Sequence, residues 1–377
     1  MLENRGDIES AMKILFIAPL PPPITGHSFA SYVLLKELNK CSEVEVINFN
    51  KGNLKQGINS FKRIFQILLV LYKVYKKKDL TDIIYLTISQ SIAGNLKDIL
   101  TYLICFRNLN KMVIHLHGGG IKKQVFDKYS ILFFINKFFL KRVGGCIVLG
   151  KSLIDIFYNM IDEEKIHTIS GFVSNDLSLS EDRIKMKFNK TNPIRILFLS
   201  SLIYGKGHWE LLKAYKSLDI KLRERVRIDF AGGFESNDHK NTFLADINKD
   251  SGLFYHGVID NDQKQDLFSK AHLFCLPTYY PYEGQPMSIL EAYAFGCVVI
   301  TTNHAGISDI FINGINGFQV DKNSYESLAR VIEMIIVETP EKFVNIALMN
   351  SRIAKDQYRE EVFVGKIVEV FSKIVSR

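Results

Sequence analysis

Short apolar runs and longer stretches of helical periodicity alternate along most of this chain. The runs at Lys13–Ala18, Glu43–Asn48, Asp82–Leu86, Met112–His115, Cys146–Leu149 and Lys165–Ile169 predict strands. The stretches between them predict helices at Phe29–Asn39, Phe61–Lys77, Ile92–Phe106, Ile121–Leu140 and Ser152–Tyr158. Strands that alternate with helices in this way call for a parallel, doubly wound sheet. A polar stretch at Ser178–Asn192 interrupts the pattern, which then restarts with predicted strands at Ile194–Leu199, Val226–Ala231, Leu253–His256, Leu273–Leu276 and Val298–Thr301. An amphipathic helix is expected over Tyr358–Ser376. The fold class is α/β, with two Rossmann-like halves: domains at 12–178 and 190–355, a linker near 175–192, and a terminal helix within 356–377.

The richest chemistry lies between Tyr279 and Val320. Glu283 and Glu291 stand eight positions apart across a turn, Glu283-Gly284-Gln285-Pro286, and the start of a helix predicted over Ser288–Ala294. A glycine-bearing loop that runs into a helix start is a ready anion site, because free amides and the helix dipole point the same way. A carboxylate one turn into that helix can accept two hydrogen bonds from a ribose diol. Taken singly, the residues leave simpler roles open. Ser288 and Glu291 form S-x-x-E, which is a capping box, and Glu283 could be a solvated loop carboxylate.

Ligands of doubly wound sheets gather at the carboxyl ends of strands, and three further loops lie at such ends. Gly26 precedes a helix start, where it allows close approach to a phosphate; Ser28 as a plain N-cap is an equal alternative. His117 is followed by Gly118-Gly119-Gly120, which leaves room for a ligand, although a lone histidine at a strand end is more often structural. Lys206 sits inside a Gly-Lys-Gly turn after Ile194–Leu199. Asp260-Asn261-Asp262 has the form D-x-D of a metal motif but is read as the cap of a helix over Gln263–Lys270. There is no G-x-G-x-x-G, no zinc spacing and no locally supported Ser-His-Asp triad.

The run from Glu283 to Gly317, with Ala292, Ala294, Gly296, Gly306, Asp309, Asn313-Gly314 and Asn316-Gly317, resembles the E-x7-E signature of retaining, family 4-like glycosyltransferases of the GT-B fold. The resemblance implies two Rossmann-like domains facing a cleft, the first for the acceptor and the second for the donor, with the terminal helix crossing back to the first. It implies His117, Lys206 and Glu283 as catalytic residues, and Gly26, Lys206, Gly284, Gln285, Pro286, Met287 and Glu291 as donor-binding residues. It implies no cofactor or metal beyond a nucleotide-sugar co-substrate, with a UDP-sugar ahead of a GDP-sugar. The expected reaction is sugar transfer with retention to a saccharide or lipid-linked saccharide, in surface polysaccharide or glycolipid biosynthesis. One departure stands out: Ser201 occupies the place where the family usually has an arginine. A non-catalytic sugar-nucleotide-binding partner and a GT-B-shaped epimerase are the alternatives.

Charge adds a second theme. Residues 1–180 carry 23 Lys and Arg against 15 Asp and Glu, while residues 181–377 carry 25 of each, so the whole +8 belongs to the front half. A basic half suits an anionic partner, and without a nucleic-acid motif a membrane surface or lipid diphosphate is preferred to nucleic acid. No run of about twenty apolar residues predicts a spanning helix. Phe61–Lys78 and Ile131–Arg142, apolar and basic-ended, are read as buried helices with solvated ends or as interfacial contacts, with Phe61 and Ile64 on the apolar face of the first. The five scattered cysteines are expected to be buried thiols in a reducing compartment. The expected location is cytoplasmic, with the inner face of the cell membrane as the alternative. Residues 1–11 read as a polar extension.

Overall fold

The structure, a computed structural model, describes residues 12–23, 25–49 and 60–377. The expectations for residues 1–11 and for the side chains of Phe61 and Ile64 lie outside the described residues. The chain divides into two compact units: residues up to 170 together with 363–377, and residues 171–362.

Unit 1 runs β1 (Lys13–Ala18), α1 (Gly26–Leu38), β2 (Glu43–Asn48), α2 (Ser60–Lys77), β3 (Ile83–Thr87), α3 (Ile92–Ile104), β4 (Met112–Leu116), α4 (Ser130–Leu140), β5 (Gly145–Val148) and β6 (Ile166–Thr168). The strands form one parallel sheet in the order β2-β1-β3-β4-β5-β6. β3, β4 and β5 are buried along their whole length, as expected for apolar runs in a sheet covered on both faces. Alternation along β3 shows the two faces. Ile84 and Leu86 join a core with Val74 of α2, Tyr102 of α3 and Leu140 of α4. Tyr85 points the other way and meets Phe371. Right-handed crossovers from β2 to β3, β4 and β5 place α2, α3 and α4 together on one face.

Unit 2 runs α5 (Glu181–Phe188), β7 (Ile194–Leu199), α6 (His208–Ser217), α7 (Ile220–Arg223), β8 (Val226–Ala231), α8 (Asn237–Ile247), β9 (Leu253–Tyr255), α9 (Asn261–Lys270), β10 (Leu273–Leu276), α10 (Met287–Ala294), β11 (Val298–Thr302), β12 (Gly317–Val320), α11 (Tyr325–Val337) and α12 (Pro340–Gln357). Its sheet is also parallel, in the order β12-β11-β10-β7-β8-β9. The last helix, α13 (Glu360–Val375), buries Val370 and Phe371, and Ile374 approaches Gly144 and Gly145 of unit 1. Two doubly wound, Rossmann-like sheets in one chain are the GT-B architecture.

Four local expectations change. The stretch read as a linker contains α5, which is capped by Ser180 and buries Ile184 and Phe188 in the core of unit 2. The single helix expected over Ile121–Leu140 breaks at Asp127–Tyr129, between a π-turn at Lys122–Phe126 and α4, because the Asp127 amide bonds back to the Lys122 carbonyl. Cys41 is exposed; the other four cysteines are buried. The lysine cluster that ends α2 is not uniformly solvated, since Lys78 is buried against Asp79 at 2.7 Å and Lys77 pairs with Glu45 at 3.4 Å.

Candidate functional site

In unit 2 the turn after β7 and the loop after β10 converge. Lys206 sits between Gly205 and Gly207, both at positive φ. A Cβ on Gly207 would lie 2.5 Å from the Pro277 ring and 2.6 Å from its carbonyl oxygen, so only glycine lets the turn pack there. This close packing delivers Lys206 Nζ to Glu283 Oε2 at 2.8 Å, with both side chains largely buried. The Thr278 hydroxyl donates to the same carboxylate at 2.9 Å, and the Tyr280 ring centroid lies 5.0 Å from the ammonium. Glu283 is therefore no solvated loop residue. A buried carboxylate needs such partners, since its desolvation costs several kcal/mol, in rough terms, if uncompensated.

The Glu283 amide is engaged by the Tyr280 carbonyl at 3.1 Å, so it does not join the anion-facing amides expected over Glu283–Met287. Gly284 accepts from the Gly306 amide at 3.0 Å, and Gln285 Oε1 accepts from the Gly171 amide at 2.7 Å. Pro286 is the N-cap of α10 and Met287 its first residue. Ser288 and Glu291 form no capping box, because the helix starts one residue before Ser288 and has no side-chain cap. Instead Glu291, one turn in, accepts from Lys264 Nζ of α9 at 2.8 Å. The structure thus brings Lys206, Glu283, Gly284, Gln285, Pro286, Met287 and Glu291 into one loop-and-helix assembly. It adds Thr278 and Lys264, which sequence reading missed. Neither announces itself: Lys264 lies 27 positions from its partner, inside an ordinary polar helix.

Asp260 accepts from the Gln263 amide at 2.9 Å, and Gln263 Oε1 answers to the Asp260 amide at 3.1 Å, which is a capping box at the start of α9. Ser201, at the position of the expected arginine, is exposed.

In unit 1, His117 lies just past β4. Its ring stacks on His115 at 3.9 Å and on His27 of α1 at 4.3 Å. His115 Nδ1 lies 2.7 Å from the Tyr85 hydroxyl. Burial, with His27 nearby, pushes His115 down to about 3. Burial, then His115 and His27, holds His117 well below the usual imidazole range. His117 is thus a neutral imidazole at pH 7, and its buried Nε2 has no hydrogen-bond partner among the described residues. Gln90 braces the glycine loop: its Oε1 accepts from the Gly120 amide at 2.7 Å, and a Cβ on Gly118 would meet its amide at 2.5 Å. The cap of α1 is Thr25, with Ser28 in the reciprocal position of a capping box rather than at the N-cap, and Gly26 is the first, exposed residue of the helix.

The fold is the GT-B architecture, and comparison with known proteins finds similarity to glycosyltransferases. Residues 180–347 match the model of the group 1 glycosyl transferases. An uncharacterized glycosyltransferase of Methanocaldococcus jannaschii is 24% identical over 277 residues, 71% of this chain and 68% of that protein. The capsular polysaccharide biosynthesis glycosyltransferase CapM of Staphylococcus aureus is 27% identical over 222 residues, and the match spans just over half of each chain, 55% and 56%. The crystal structure of HepE from Anabaena in complex with UDP and glucose superposes with a TM-score of 0.72 at 18% identity, covering 96% of this chain and all of that one.

Proposed function

We propose that the chain is a retaining, metal-independent glycosyltransferase. It would move a sugar from a nucleotide-sugar, a UDP-sugar ahead of a GDP-sugar, to a saccharide or lipid-linked saccharide in surface polysaccharide or glycolipid biosynthesis. The setting is the cytoplasmic side of the cell membrane. Unit 2 carries the donor nucleotide and unit 1 the acceptor. The observation that carries this reading is the Lys206–Glu283 pair beside the start of α10, with Glu291 one turn in. An anion-binding helix start, a cation and a carboxylate one turn into the helix match the parts of a nucleotide-sugar.

In the proposed reaction the bond from the anomeric carbon to the diphosphate breaks and a bond to the acceptor hydroxyl oxygen forms. The hydroxyl proton passes to the departing nucleoside diphosphate. Negative charge grows on that group as the bond breaks, and Lys206 meets it from a largely desolvated position, where a fixed cation acts most strongly. Glu283 holds Lys206 in place before the donor arrives. His117, neutral and with Nε2 unpartnered among the described residues, is a sugar-positioning residue. The likeness to HepE, whose complex holds UDP and glucose, supports UDP as the first nucleotide to test. The relationship to CapM supports a polysaccharide role.

The test is mass spectrometry of products from a panel of UDP- and GDP-sugars with membrane extract as acceptor. A new glycoconjugate that requires one donor supports the reading. Conversion of the donor sugar into its epimer without acceptor would establish the epimerase alternative instead.

A further inference from the structure

We propose that α2, α3 and α4 of unit 1 together form a docking surface for an anionic lipid bilayer. Each helix has two apolar faces. The inner one belongs to the core, through Val74, Tyr102, Phe139 and Leu140. The outer one faces solvent. On α2 it exposes Phe65, Leu68, Tyr72 and Tyr75; on α3, Leu96, Leu100 and Leu103; on α4, Ile131 at 75% and Phe134 at 65%. Outward apolar residues at spacings of three and four on three adjacent helices violate the polar-outside rule over an extended area.

The face is continuous and held together. α2 packs on α3 and α3 on α4. Buried Asn95 and Asn136 exchange hydrogen bonds of 3.0 and 2.9 Å between α3 and α4. The rings of Phe106, just past α3, and Phe138 of α4 stack 6.0 Å apart.

Charge selects the occupant. α2 and α4 contain no Asp or Glu. The one acid of α3, Asp98, is buried and engaged by the Ser89 amide and Lys97. All three helices cross between parallel strands in the same sense, so their C-terminal ends share one edge. Lys73 and Lys76, Arg107, and Lys141 and Arg142 lie exposed at or near that edge. Arg142 lies over the Phe138 ring at 4.1 Å and donates to the Phe138 carbonyl, so its stem covers apolar surface while its head sits at the rim. Asp79, just past α2, is the exposed acid at that edge, and it is paired with Lys78 at 2.7 Å. A broad apolar face bordered by an excess of cations fits anionic head groups with acyl chains beneath them. Among the described residues no helix is long and apolar enough to cross a membrane, so the contact is interfacial. The proposal rests on the transfer reading only for the setting.

The test is flotation of the full chain with phosphatidylglycerol-containing and pure phosphatidylcholine vesicles, at low and high salt. The variants are Leu103→Asp/Phe134→Asp and Lys76→Gln/Arg142→Gln, with the thermal unfolding midpoint as the control for folding. The parent is expected to float with the anionic vesicles, and high salt should weaken but not abolish this. The apolar double variant should lose at least about tenfold in partitioning, and the basic pair should lose about fivefold per charge on anionic vesicles only. Unchanged flotation of the folded apolar variant, or equal flotation of the parent with both vesicle types, overturns the proposal. So does a parent dimer, seen by sedimentation, that the apolar variant breaks while no vesicle binds, because the face would then be covered by a second copy. None of these readouts requires turnover, so failure of the transfer reading leaves the result interpretable.

Discussion

The two units share a sheet plan and place their candidate residues beyond strand ends, yet their chemistry is opposite. Unit 2 assembles ions: Lys206 with Glu283, and Lys264 with Glu291, each at 2.8 Å. Unit 1 assembles neutral rings: three stacked imidazoles, two of them with proton affinity depressed by burial. The backbone plan fixes where a ligand can sit, and the side chains at the strand ends decide whether that place favours charge or a neutral sugar.

The largest effect is expected where the ionic half is broken. Lys206→Ala should lower kcat and kcat/KM together by about 10²–10³, as for removal of a charge-stabilising donor. It should also destabilise unit 2 by about 3–5 kcal/mol, because Glu283 would remain buried without its cation. Steady-state kinetics and urea unfolding read the two separately. Lys206→Ala/Glu283→Gln should recover much of the stability and none of the rate. A rise in KM with kcat unchanged would make Lys206 a ground-state anchor only.

The neutral half is tested by acid. His115 and His117 have folded-state pKa values below the ordinary imidazole value of about 6.5. Unfolding between pH 6.5 and about 3 therefore takes up protons. Their contribution to stability is complete above pH 6.5 and falls as pH drops, by about 1.4 kcal/mol per pH unit for each histidine. His208 and His272 of unit 2, pushed down to about 4 mainly by burial, add to the same slope. Urea unfolding at pH 7 and pH 5 should give His117→Gln a pH penalty about 2 kcal/mol smaller than the parent's. An identical penalty would show that His117 ionises freely in the folded protein.

Glu291→Gln sharpens the comparison at a finer scale. It should weaken nucleotide binding by about tenfold, the loss expected when a charged acceptor of ribose hydroxyls becomes neutral. The start of α10 should be unaffected, because Glu291 plays no part in capping it. Fluorescence-monitored nucleotide titration and circular dichroism check the two halves of this statement. The smallest effect belongs to Asp260→Ala, which should cost about 1 kcal/mol by removing an N-cap and leave turnover in EDTA equal to the parent's. Turnover lost in EDTA and restored by Mn²⁺ would contradict the metal-free reading.

Most strands were legible because buried parallel strands are continuous apolar runs, as at Lys13–Ala18 and Ile194–Leu199. β12 was not, because it has four residues and opens on Gly317 inside a glycine- and asparagine-rich loop. α5 was hidden by its charged composition, with Ile184 and Phe188 as its buried residues. In the candidate site the local part was readable, because Glu283 to Glu291 lie within one turn and one helix. The distant partners were not. Nothing in the sequence joins Lys206 to Glu283 across 77 positions, or Lys264 to Glu291 across 27. The capping-box alternative at Ser288–Glu291 does not form, because Pro286 is the N-cap and the helix already begins at Met287. The cap of α1 moved likewise, from Ser28 to Thr25, since the two residues exchange hydrogen bonds and either fits the composition of a cap.

The central claim is that the paired charges of unit 2 form a nucleoside diphosphate site. Calorimetric titration of UDP and of uridine into the parent and into Lys206→Ala/Glu283→Gln isolates the diphosphate contribution from the base and ribose. The account predicts that UDP binds the parent far more tightly than uridine does, and that the gap narrows by at least about tenfold in the variant while uridine binding is unchanged. An equal gap in both proteins, or no preference for UDP over uridine in the parent, would contradict it.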